Sequence, residues 1–386
     1  MPEWRYLEDD DVEAPFGLAT DELLLTGSTG TGAPPATLRL YWYRSHCALV
    51  GRFQNLAAEV DLAACRSLGV SVNRRPTGGG AILMGDAQLG VALLTTVREA
   101  GGRTDVGELC GWFSRGLVEG LRELGVEAEF HPRNDILVRG RKIAGTGLCA
   151  DGHGGLLFHA SVLGDLDVPL MLRVLRIPVQ KIADKPIAAI EDRTTTVTRE
   201  LGRPHLARDL RPTVRRVWAE TLGVTLDSRP LSDEERNGIA RLLAEKYSTP
   251  AWLFERTPPG RGSSESPPSG LLEAEAASAL LPPPEGVHPS EGMGESLLRT
   301  SGGMLRVYLA VSRGTVKSAW ITGDFFATTP AVASLESSLK WRPVVRQELL
   351  AAVEAEYRRS GGIAGVREEE LTNAVFEAGE RAEAGT

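Results

Sequence analysis

The sequence of 386 residues contains few cysteines and lacks any long hydrophobic run. No stretch approaches the roughly 18–20 apolar residues of a membrane-spanning helix, and the acidic N-terminus has no apolar segment of the signal-peptide kind. The four cysteines, Cys47, Cys65, Cys110 and Cys149, form no CxxC pair, which argues against a disulfide framework or a structural metal site. We therefore expect a cytoplasmic protein that does not contact membranes.

Basic residues are outnumbered, with 43 Lys and Arg against 51 Asp and Glu and a formal net charge of −8. Broad affinity for nucleic acid needs a surplus of Lys and Arg to displace counterions, so this balance argues against nucleic-acid partners. A local cationic pocket for an anionic substrate remains compatible with the average. At about 100–200 residues per domain, the length predicts two domains.

The composition changes between residues 251 and 295, where proline, serine and glycine dominate. Such a segment cannot sustain a core, so we predict a linker between a domain at 1–250 and another at 296–386. Strand-like runs at 38–44, 70–75, 88–97, 135–140 and 155–163, with an amphipathic helix at 105–124, lack a steady strand-helix alternation. This pattern favours an α+β domain with a mostly antiparallel sheet, followed by a small α+β module with a hairpin turning at Arg313-Gly314.

A glycine-rich motif, RRPTGGGAI, occupies residues 74–82 directly after a predicted strand. Consecutive glycines let a backbone approach a ligand and present N–H groups to an anion, while two arginines add positive charge. The motif has neither the GK[ST] of a Walker A loop nor the GxGxxG that opens a helix. A plain turn is the simpler interpretation, but the arginines and Thr77 favour an anion-binding loop.

A second motif, RNDILVRGRKIAGTGL at residues 133–148, places Asp135 at the start of one strand and Lys142 on the next. Taken alone, these residues have simpler interpretations, as a turn carboxylate and a solvated surface lysine. His159 lies inside an apolar, alternating strand, where a histidine satisfied within the core is the simpler interpretation.

Cys149 admits two chemical interpretations besides that of a buried apolar thiol. With His153 and His159 it suggests a metal site, but the spacing matches no zinc pattern and lacks a fourth ligand. Near Lys142 it could instead form a thioester, since a nearby cation lowers the pKa of a thiol.

Six motifs follow one another along the chain: APFGLATDELLL, LVGRFQN, RRPTGGGAI, RNDILVRGRKIAGTG, FHASVL and AIEDRTTTVTREL. Their joint order resembles the lipoate-protein ligase A branch of the biotin and lipoate ligase superfamily. Residues 246–258, KYSTPAWLFERTP, resemble that family's tryptophan-containing exit from the large domain, and residues 298–374 resemble its accessory domain. The resemblance implies a biotin/lipoate ligase-like fold, with mostly antiparallel sheets packed with helices and a small α+β C-terminal domain.

The resemblance implies a two-step reaction. Lipoate or octanoate reacts with MgATP to give acyl-AMP, and the acyl group then passes to a lysine of an apo lipoyl-domain protein, of the 2-oxoacid dehydrogenase E2 or glycine cleavage H protein type. Attack of a carboxylate on a phosphate opposes like charges, at about 4 kcal/mol per unit pair at about 4 Å and an effective dielectric of about 20, so cations are required.

Lys142 aligns with the family's essential lysine and is the predicted bridge between carboxylate and phosphate oxygens, with Arg74 and Mg²⁺ sharing the charge. Asp135 aligns with an acidic residue that either orients the acceptor lysine or holds Mg²⁺. The positions implied to bind ATP or the lipoyl adenylate are Arg74, Arg75, Thr77, Gly78, Gly79, Gly80, Ala81, Asn134, Lys142, Gly145, Thr146 and His159.

One departure from the family follows the triple glycine. Relatives commonly continue with an aromatic or aliphatic residue and then His-Asp, whereas residues 83–86 of this chain are Leu, Met, Gly and Asp.

Octanoyltransferases of the same superfamily, which use a cysteine thioester and no ATP, are the main alternative. Their cysteine precedes the pocket histidine by three residues, where this chain has Leu156, or lies upstream of the lysine strand, where residues 129–135 contain none. We therefore predict an ATP-dependent lipoate-protein ligase. The alternatives are an octanoyl or lipoyl transferase that uses Cys149 and an inactive ligand-binding relative.

Overall fold

The structure of the chain is a computed structural model that describes residues 1–28, 36–132, 134–177, 186–258 and 292–384. Contacts divide the chain into two compact units. The first unit comprises Met1–Leu49, Ala63–Thr77 and Ile82–Thr249. The second unit comprises Val50–Leu62, Gly78–Ala81 and Pro250–Thr386. Most of the predicted linker at 251–295 lies outside the described residues.

An eight-stranded sheet forms the centre of the first unit. The strands preceding the linker are β1 (Glu3–Val12), β2 (Thr37–Tyr43), β3 (Cys47–Val50), β4 (Ser71–Arg74), β5 (Ile82–Met84), β6 (Gln88–Thr96), β7 (Glu129–His131), β8 (Asp135–Val138), β9 (Arg141–Ala150), β10 (Gly155–Leu163) and β11 (Thr225–Ser228). The large sheet has the order β11-β1-β2-β6-β10-β9-β8-β7, and a three-stranded sheet has the order β4-β3-β5.

The large sheet is mostly antiparallel, as the sequence predicted. Every neighbouring pair from β2 to β7 is antiparallel, whereas β1 runs parallel to both β2 and β11. The parallel pairs involve the first strand of the chain, which the sequence patterns did not identify. The fold is therefore α+β with one mixed edge.

Ten helices lie before the linker among the described residues. They are α1 (Ala14–Thr26), α2 (Leu56–Glu59), α3 (Leu62–Leu68), α4 (Val106–Glu123), α5 (Val168–Val174), α6 (Pro186–Glu191), α7 (Val197–Leu201), α8 (Ala207–Leu222), α9 (Asp233–Leu242) and α10 (Pro250–Leu253), with a π-helical turn at Leu243–Tyr247. Helix α4 confirms the amphipathic helix predicted at 105–124, because Asp105 caps it through a 2.8 Å bond from the Glu108 N–H and Gly125 follows with a φ of 91°.

The main core lies between helices α4 and α8 and one face of the large sheet. Phe113, Leu117 and Leu121 recur on one side of α4 and are completely buried, where each side chain contributes about 1.5–3 kcal/mol of hydrophobic stabilisation. Phe158 of β10 and Trp218 of α8 pack edge to face, with ring centroids 6.2 Å apart. This core occupies one face of the sheet and leaves the other for α1 and the candidate site.

The second unit includes α2 and α10. Its C-terminal part, described for residues 292–384, contains a three-stranded antiparallel sheet in the order β12-β13-β14 with three further helices. Its elements are β12 (Gly292–Thr300), β13 (Gly303–Ser312), β14 (Thr315–Gly323) and helices Thr329–Leu339, Arg346–Ser360 and Glu368–Ala384. The predicted hairpin at Arg313-Gly314 is confirmed, and Pro343 lies between the first two of these helices. Within this unit, Phe53 from the Val50–Leu62 segment stacks on Phe325, with ring centroids 5.2 Å apart.

Helices capable of spanning a bilayer were sought in the described segments. None of them combines the required length with sufficient apolar character.

Candidate active site

The candidate site is built on the face of the large sheet that points away from α4 and α8. One row of paired residues crosses four strands of this sheet: Arg39 on β2, Ala92 on β6, His159 on β10 and Gly147 on β9. Since successive side chains of a strand alternate between faces and Phe158 belongs to the core, this row lies on the opposite face. Nearby positions on that face carry small residues: Gly90, Gly145 and Ser161. The Tyr41 ring and Met84 lie over Gly90, and the Lys142 ammonium group lies over Gly145.

A buried charge network connects α1 to this row. Asp21 of α1 accepts a 2.8 Å hydrogen bond from Arg39 Nη1, and its second carboxylate oxygen lies 2.9 Å from His159 Nε2. Both Asp21 and Arg39 have no exposed surface. Burial would raise the pKa of Asp21, but Arg39 and His159 outweigh it and hold that pKa below its usual value. Asp21 is therefore an anion within the protein interior.

His159 also reaches the segment that leads into the glycine-rich loop. Its Nδ1 lies 3.4 Å from Thr77 Oγ1, and Thr77 is fully buried. The imidazole thus stands between a carboxylate on α1 and a hydroxyl on the loop, and both ring nitrogens have a polar partner. Asp21, His159 and Thr77 are separated widely in sequence and are brought together by the fold.

A β-bulge on β9 determines the direction of the Lys142 side chain. The pairing of β8 with β9 shifts register at this point, and the successive residues Ile143 and Ala144 are both buried in the core. The usual alternation is interrupted by the extra residue. Lys142 and Gly145, which flank the two buried residues, therefore project towards the same face of the sheet.

Lys142 and Asp135 form an ion pair on this face, with Nζ 2.7 Å from Oδ1 and both side chains half-buried. A Cβ atom at Gly145 would lie only 2.9 Å from Lys142 Nζ, so the absence of a side chain there makes room for the ammonium group. The backbone of Lys142 makes two hydrogen bonds of 2.8 Å. Its N–H donates to Arg193 O, and its carbonyl oxygen accepts from Thr195 N–H. The DRTTT segment of the sixth motif thus supports the lysine.

Asn134 and Thr146 hold the start of β8 against β9. Thr146 donates from its N–H and its hydroxyl to Asn134 O, at 2.7 and 3.0 Å, and the Asn134 side chain donates to Thr146 O at 3.1 Å. These bonds give both residues a structural role beside Asp135. Their predicted contact with a nucleotide remains a prediction.

Of the two arginines in the glycine-rich motif, Arg74 is buried and Arg75 is partly buried. Arg74 has no exposed surface, and Arg75 donates from Nη1 to Leu49 O at 3.3 Å. Burial lowers the pKa of Arg75 to about 10, against the raising effect of Tyr43 and Tyr41, so its guanidinium stays charged at neutral pH.

The three glycines of the motif, with Ala81, belong to the second compact unit rather than the first. A Cβ atom at Gly78 would lie 2.5 Å from Phe325 O, and one at Gly51 would lie 2.0 Å from Gly79 O. Close backbone packing within this unit therefore accounts for Gly51 and Gly78 without a ligand. The predicted binding roles of Gly78, Gly79, Gly80 and Ala81 remain predictions.

Cys149 lies in an environment that disfavours its thiolate. Burial raises the pKa of the thiol to about 12, with further raising contributions from Glu22 and Asp21 that the cation Lys246 opposes. Lys142 lies seven residues earlier on β9, roughly 20 Å away at about 3.3 Å per residue, and the cation that acts on Cys149 is Lys246. The use of Cys149 by a transferase remains a prediction. At neutral pH this thiol is protonated.

Metal binding was considered for the side chains in the described ranges. No group of three or more His, Cys, Asp or Glu is placed there to hold an ion. His153 lies in a turn, where its backbone N–H donates to Asp151 Oδ1 at 2.7 Å. Asp135 is paired with Lys142, and its role as a metal ligand remains a prediction.

Asp21, Arg39 and Glu22 are features of the site that the sequence interpretation missed. Glu22 accepts from Lys246 Nζ at 2.6 Å and from the Tyr247 hydroxyl at 2.5 Å, which ties α1 to the π-helical turn. The available signal was the pair of acidic residues within the apolar helix sequence APFGLATDELLL, since charges buried in a helix require partners.

The fold is α+β with a mostly antiparallel sheet, and comparison with known proteins gives the family. Residues 13–218 match the family described as the lipoyl protein ligase A/B catalytic domain. This range is more than half of the chain, and the chain therefore belongs to this family, within the biotin/lipoate ligase superfamily. The predicted family and fold class are confirmed.

The curated relatives include transferases. Octanoyltransferase LipM of Symbiobacterium thermophilum is 32% identical over 275 residues, covering 66% of this chain and 98% of the relative. Octanoyltransferase LipM of Kyrpidia tusciae is 30% identical over 278 residues, covering 66% of this chain and all of the relative.

The similar solved structures include ligases. The bipartite lipoate protein ligase of Thermoplasma acidophilum, studied with its E2 lipoyl domain, is 26% identical with a TM-score of 0.59, covering 66% of this chain and 97% of that one. P. falciparum LipL1 in complex with lipoate is 16% identical with a TM-score of 0.65, covering 97% of this chain and 98% of that one, and shows the fold alone. The comparisons support an enzyme of lipoylation and divide between transferases and ligases.

Proposed function

We propose that this protein transfers an octanoyl group from an activated donor to the lysine amine of a lipoyl-domain protein. The relatives named as octanoyltransferases support a transferase over the ATP-dependent ligase that the sequence predicted. The observation that carries the proposal is the Lys142–Asp135 ion pair at 2.7 Å on the small-residue face of the sheet. An ammonium group held in place stabilises the negative charge that develops on a carbonyl oxygen during acyl transfer.

The chemistry is an aminolysis. The nitrogen of the neutral acceptor lysine attacks the acyl carbonyl and forms the C–N bond. The bond to the donor's leaving group breaks, and the leaving group takes the bonding electron pair and the proton that the amine loses. Lys142 donates a hydrogen bond to the carbonyl oxygen as negative charge develops on it, and Asp135 positions Lys142 for this contact. An unperturbed lysine of pKa about 10.4 is neutral in about 1 molecule in 2,500 at pH 7, so acceptor deprotonation favours a higher pH.

ATP-dependent ligation is the second candidate, and a specific observation favours it. A thiol with a pKa of about 12 is ionised in only about 1 molecule in 10⁵ at pH 7, so Cys149 is a poor nucleophile in this structure. A ligase needs no cysteine, because ATP supplies the activation of lipoate or octanoate. The cations Arg74 and Arg75 would then offset the phosphate charge, and Mg²⁺ would be held chiefly by phosphate oxygens.

The donor is identified by incubating the full chain with an apo lipoyl-domain protein and weighing that acceptor by intact mass spectrometry. One arm contains an octanoylated carrier without ATP, and two arms contain MgATP with octanoate or with lipoate. We expect modification from the octanoylated carrier alone. Modification only in the ATP arms would refute the transferase and establish the ligase, and modification in no arm would support the inactive ligand-binding relative.

A further inference from the structure

The second compact unit presents an exposed tryptophan in a strained conformation. Trp341 exposes 62% of its surface and has a φ of +67°. A bulky residue with positive φ is a conformational outlier, and such strain persists only where the surroundings enforce it. A large apolar ring held in solvent at a conformational cost points to an interaction surface.

Hydrogen bonds to the β13–β14 hairpin enforce this conformation. Trp341 N–H donates to Val316 O at 2.7 Å, Val316 N–H donates to Arg342 O at 2.9 Å, and Val344 N–H donates to Gly314 O at 2.8 Å. The segment after helix Thr329–Leu339 is thereby fixed beside edge strand β14. The ring is presented by a rigid scaffold.

Cations surround the ring. Lys317 Nζ lies 4.5 Å and Lys340 Nζ 5.4 Å from its centroid, and Arg342 and Val345 are exposed beside it. We name these five residues the Trp341 patch. Residues 337–347 and 303–323 contain no Asp or Glu. Carboxylates near this region include Glu336, which accepts from Ile321 N–H of β14 and pairs with Arg256, and Asp324, which accepts from Met304 N–H. Glu348 lies at the start of the next helix, and Glu383 Oε1 would lie 3.4 Å from a Cβ at Gly314.

We propose that the Trp341 patch docks an acidic face of the acceptor lipoyl-domain protein, an inference that rests on the proposed function. The chain carries a net charge of −8 and on average repels an acidic partner, so a local cationic cluster is needed to receive one. Trp and Arg are the residues that most often dominate binding energy at protein interfaces. Two ammonium groups already approach the ring, which favours a partner with carboxylates over insertion of the ring into lipid.

The test compares Trp341→Gly and the double variant Lys317→Gln/Lys340→Gln with the full wild-type chain. Glycine accepts the positive φ, so Trp341→Gly removes the ring while relieving strain and should retain the melting temperature. Arg358→Gln, an exposed cation on another helix of the same unit, is the matched control. The probe is an apo lipoyl-domain protein of acidic net charge, with hydroxylamine as a small acceptor that needs no docking.

We expect both patch variants to raise the KM for the protein acceptor about tenfold, with kcat and hydroxylamine capture unchanged and a weaker salt dependence. An unchanged KM in both variants overturns the docking proposal. Binding to phosphatidylserine vesicles that the variants abolish, without an effect on KM, overturns it in favour of a membrane. If the wild type acylates neither acceptor, the proposed function fails, and calorimetric titration with the acceptor still decides whether the patch binds it.

Discussion

Replacement of Asp21 by asparagine should destabilise the first compact unit severely. Asp21 and Arg39 form a completely buried ion pair at 2.8 Å, and His159 shares the same carboxylate. Asparagine keeps the size of the side chain but removes the charge, so the Arg39 guanidinium remains buried with Asp9 as its remaining carboxylate. The substitution therefore isolates the electrostatic contribution of Asp21.

The magnitude follows from the burial. Removing one partner of a buried ion pair costs about 3–5 kcal/mol, because the other charge is left without compensation. The retained contact between Arg39 Nε and Asp9 Oδ2, at 2.6 Å, places the expected cost at the lower end, about 3 kcal/mol. For a domain of this size, that corresponds to a fall in Tm of about 6–12 °C.

The pH dependence has a definite sign. The pKa of Asp21 in the folded protein lies below the ordinary value of 3.8, since Arg39 and His159 outweigh the opposing effect of burial. A lowered carboxyl pKa contributes stability that is complete above the unfolded pKa and is lost as the pH falls towards the folded pKa. The stability difference between wild type and Asp21→Asn should therefore be greatest above about pH 5 and shrink below about pH 4.

Urea unfolding followed by circular dichroism from pH 3 to pH 8 measures this difference. Glu13→Gln is the matched control, because Glu13 and Arg44 form a pair at 3.4 Å with both side chains more than 60% exposed. We expect the control to cost less than about 1 kcal/mol. If Asp21→Asn costs no more than the control at pH 7, the buried network does not stabilise the fold as we argue.

The remaining predictions concern chemistry and packing. Lys142→Ala should lower acyl transfer about 10²–10³-fold with an unchanged Tm, since the side chain is half-exposed, and near-normal turnover would refute its role. Cys149→Ser should retain turnover within about threefold, and loss of acyl transfer in this variant would instead support a thioester. Alkylation of Cys149 in the wild type, followed by peptide mass spectrometry, should be slow at pH 8 and accelerate towards pH 12. Gly78→Ala should lower the unfolding free energy by about 1–3 kcal/mol, because its Cβ would lie 2.5 Å from Phe325 O and the backbone must shift. Gly80→Ala, whose Cβ would lie 3.8 Å from its nearest neighbour, should be tolerated in the same urea titration.

Local patterns predicted the local elements of the fold. The three- and four-residue spacing of apolar residues predicted helix α4. The Arg313-Gly314 pair predicted the hairpin, where both residues have positive φ. The parallel pairing of β1 with β2 and β11 could not be predicted, since it joins segments as distant as Glu3 and Thr225. Pairing over such separations depends on the assembled core rather than on nearby residues.

The candidate site was predictable in its composition but not in its connections. Lys142 and Asp135 were identified by their motif, but the bulge at Ile143 that brings their side chains to one face has no signature in the sequence. The contact of His159 with Asp21 spans 138 residues. The acidic pair of α1 signals that a buried charge needs a partner, but nothing in either segment indicates that the partners are His159 and Arg39.

The distribution of the RRPTGGGAI motif between the two compact units limits how the protein can be divided. Residues 74–77 belong to one unit and Gly78–Ala81 to the other, as does the earlier segment Val50–Leu62. A chain shortened at the proline-rich region would keep every motif of the family yet leave Phe53 without the Phe325 ring on which it stacks. Removal of the C-terminal module would therefore also leave the Val50–Leu62 segment and Gly78–Ala81 without packing partners of their own unit.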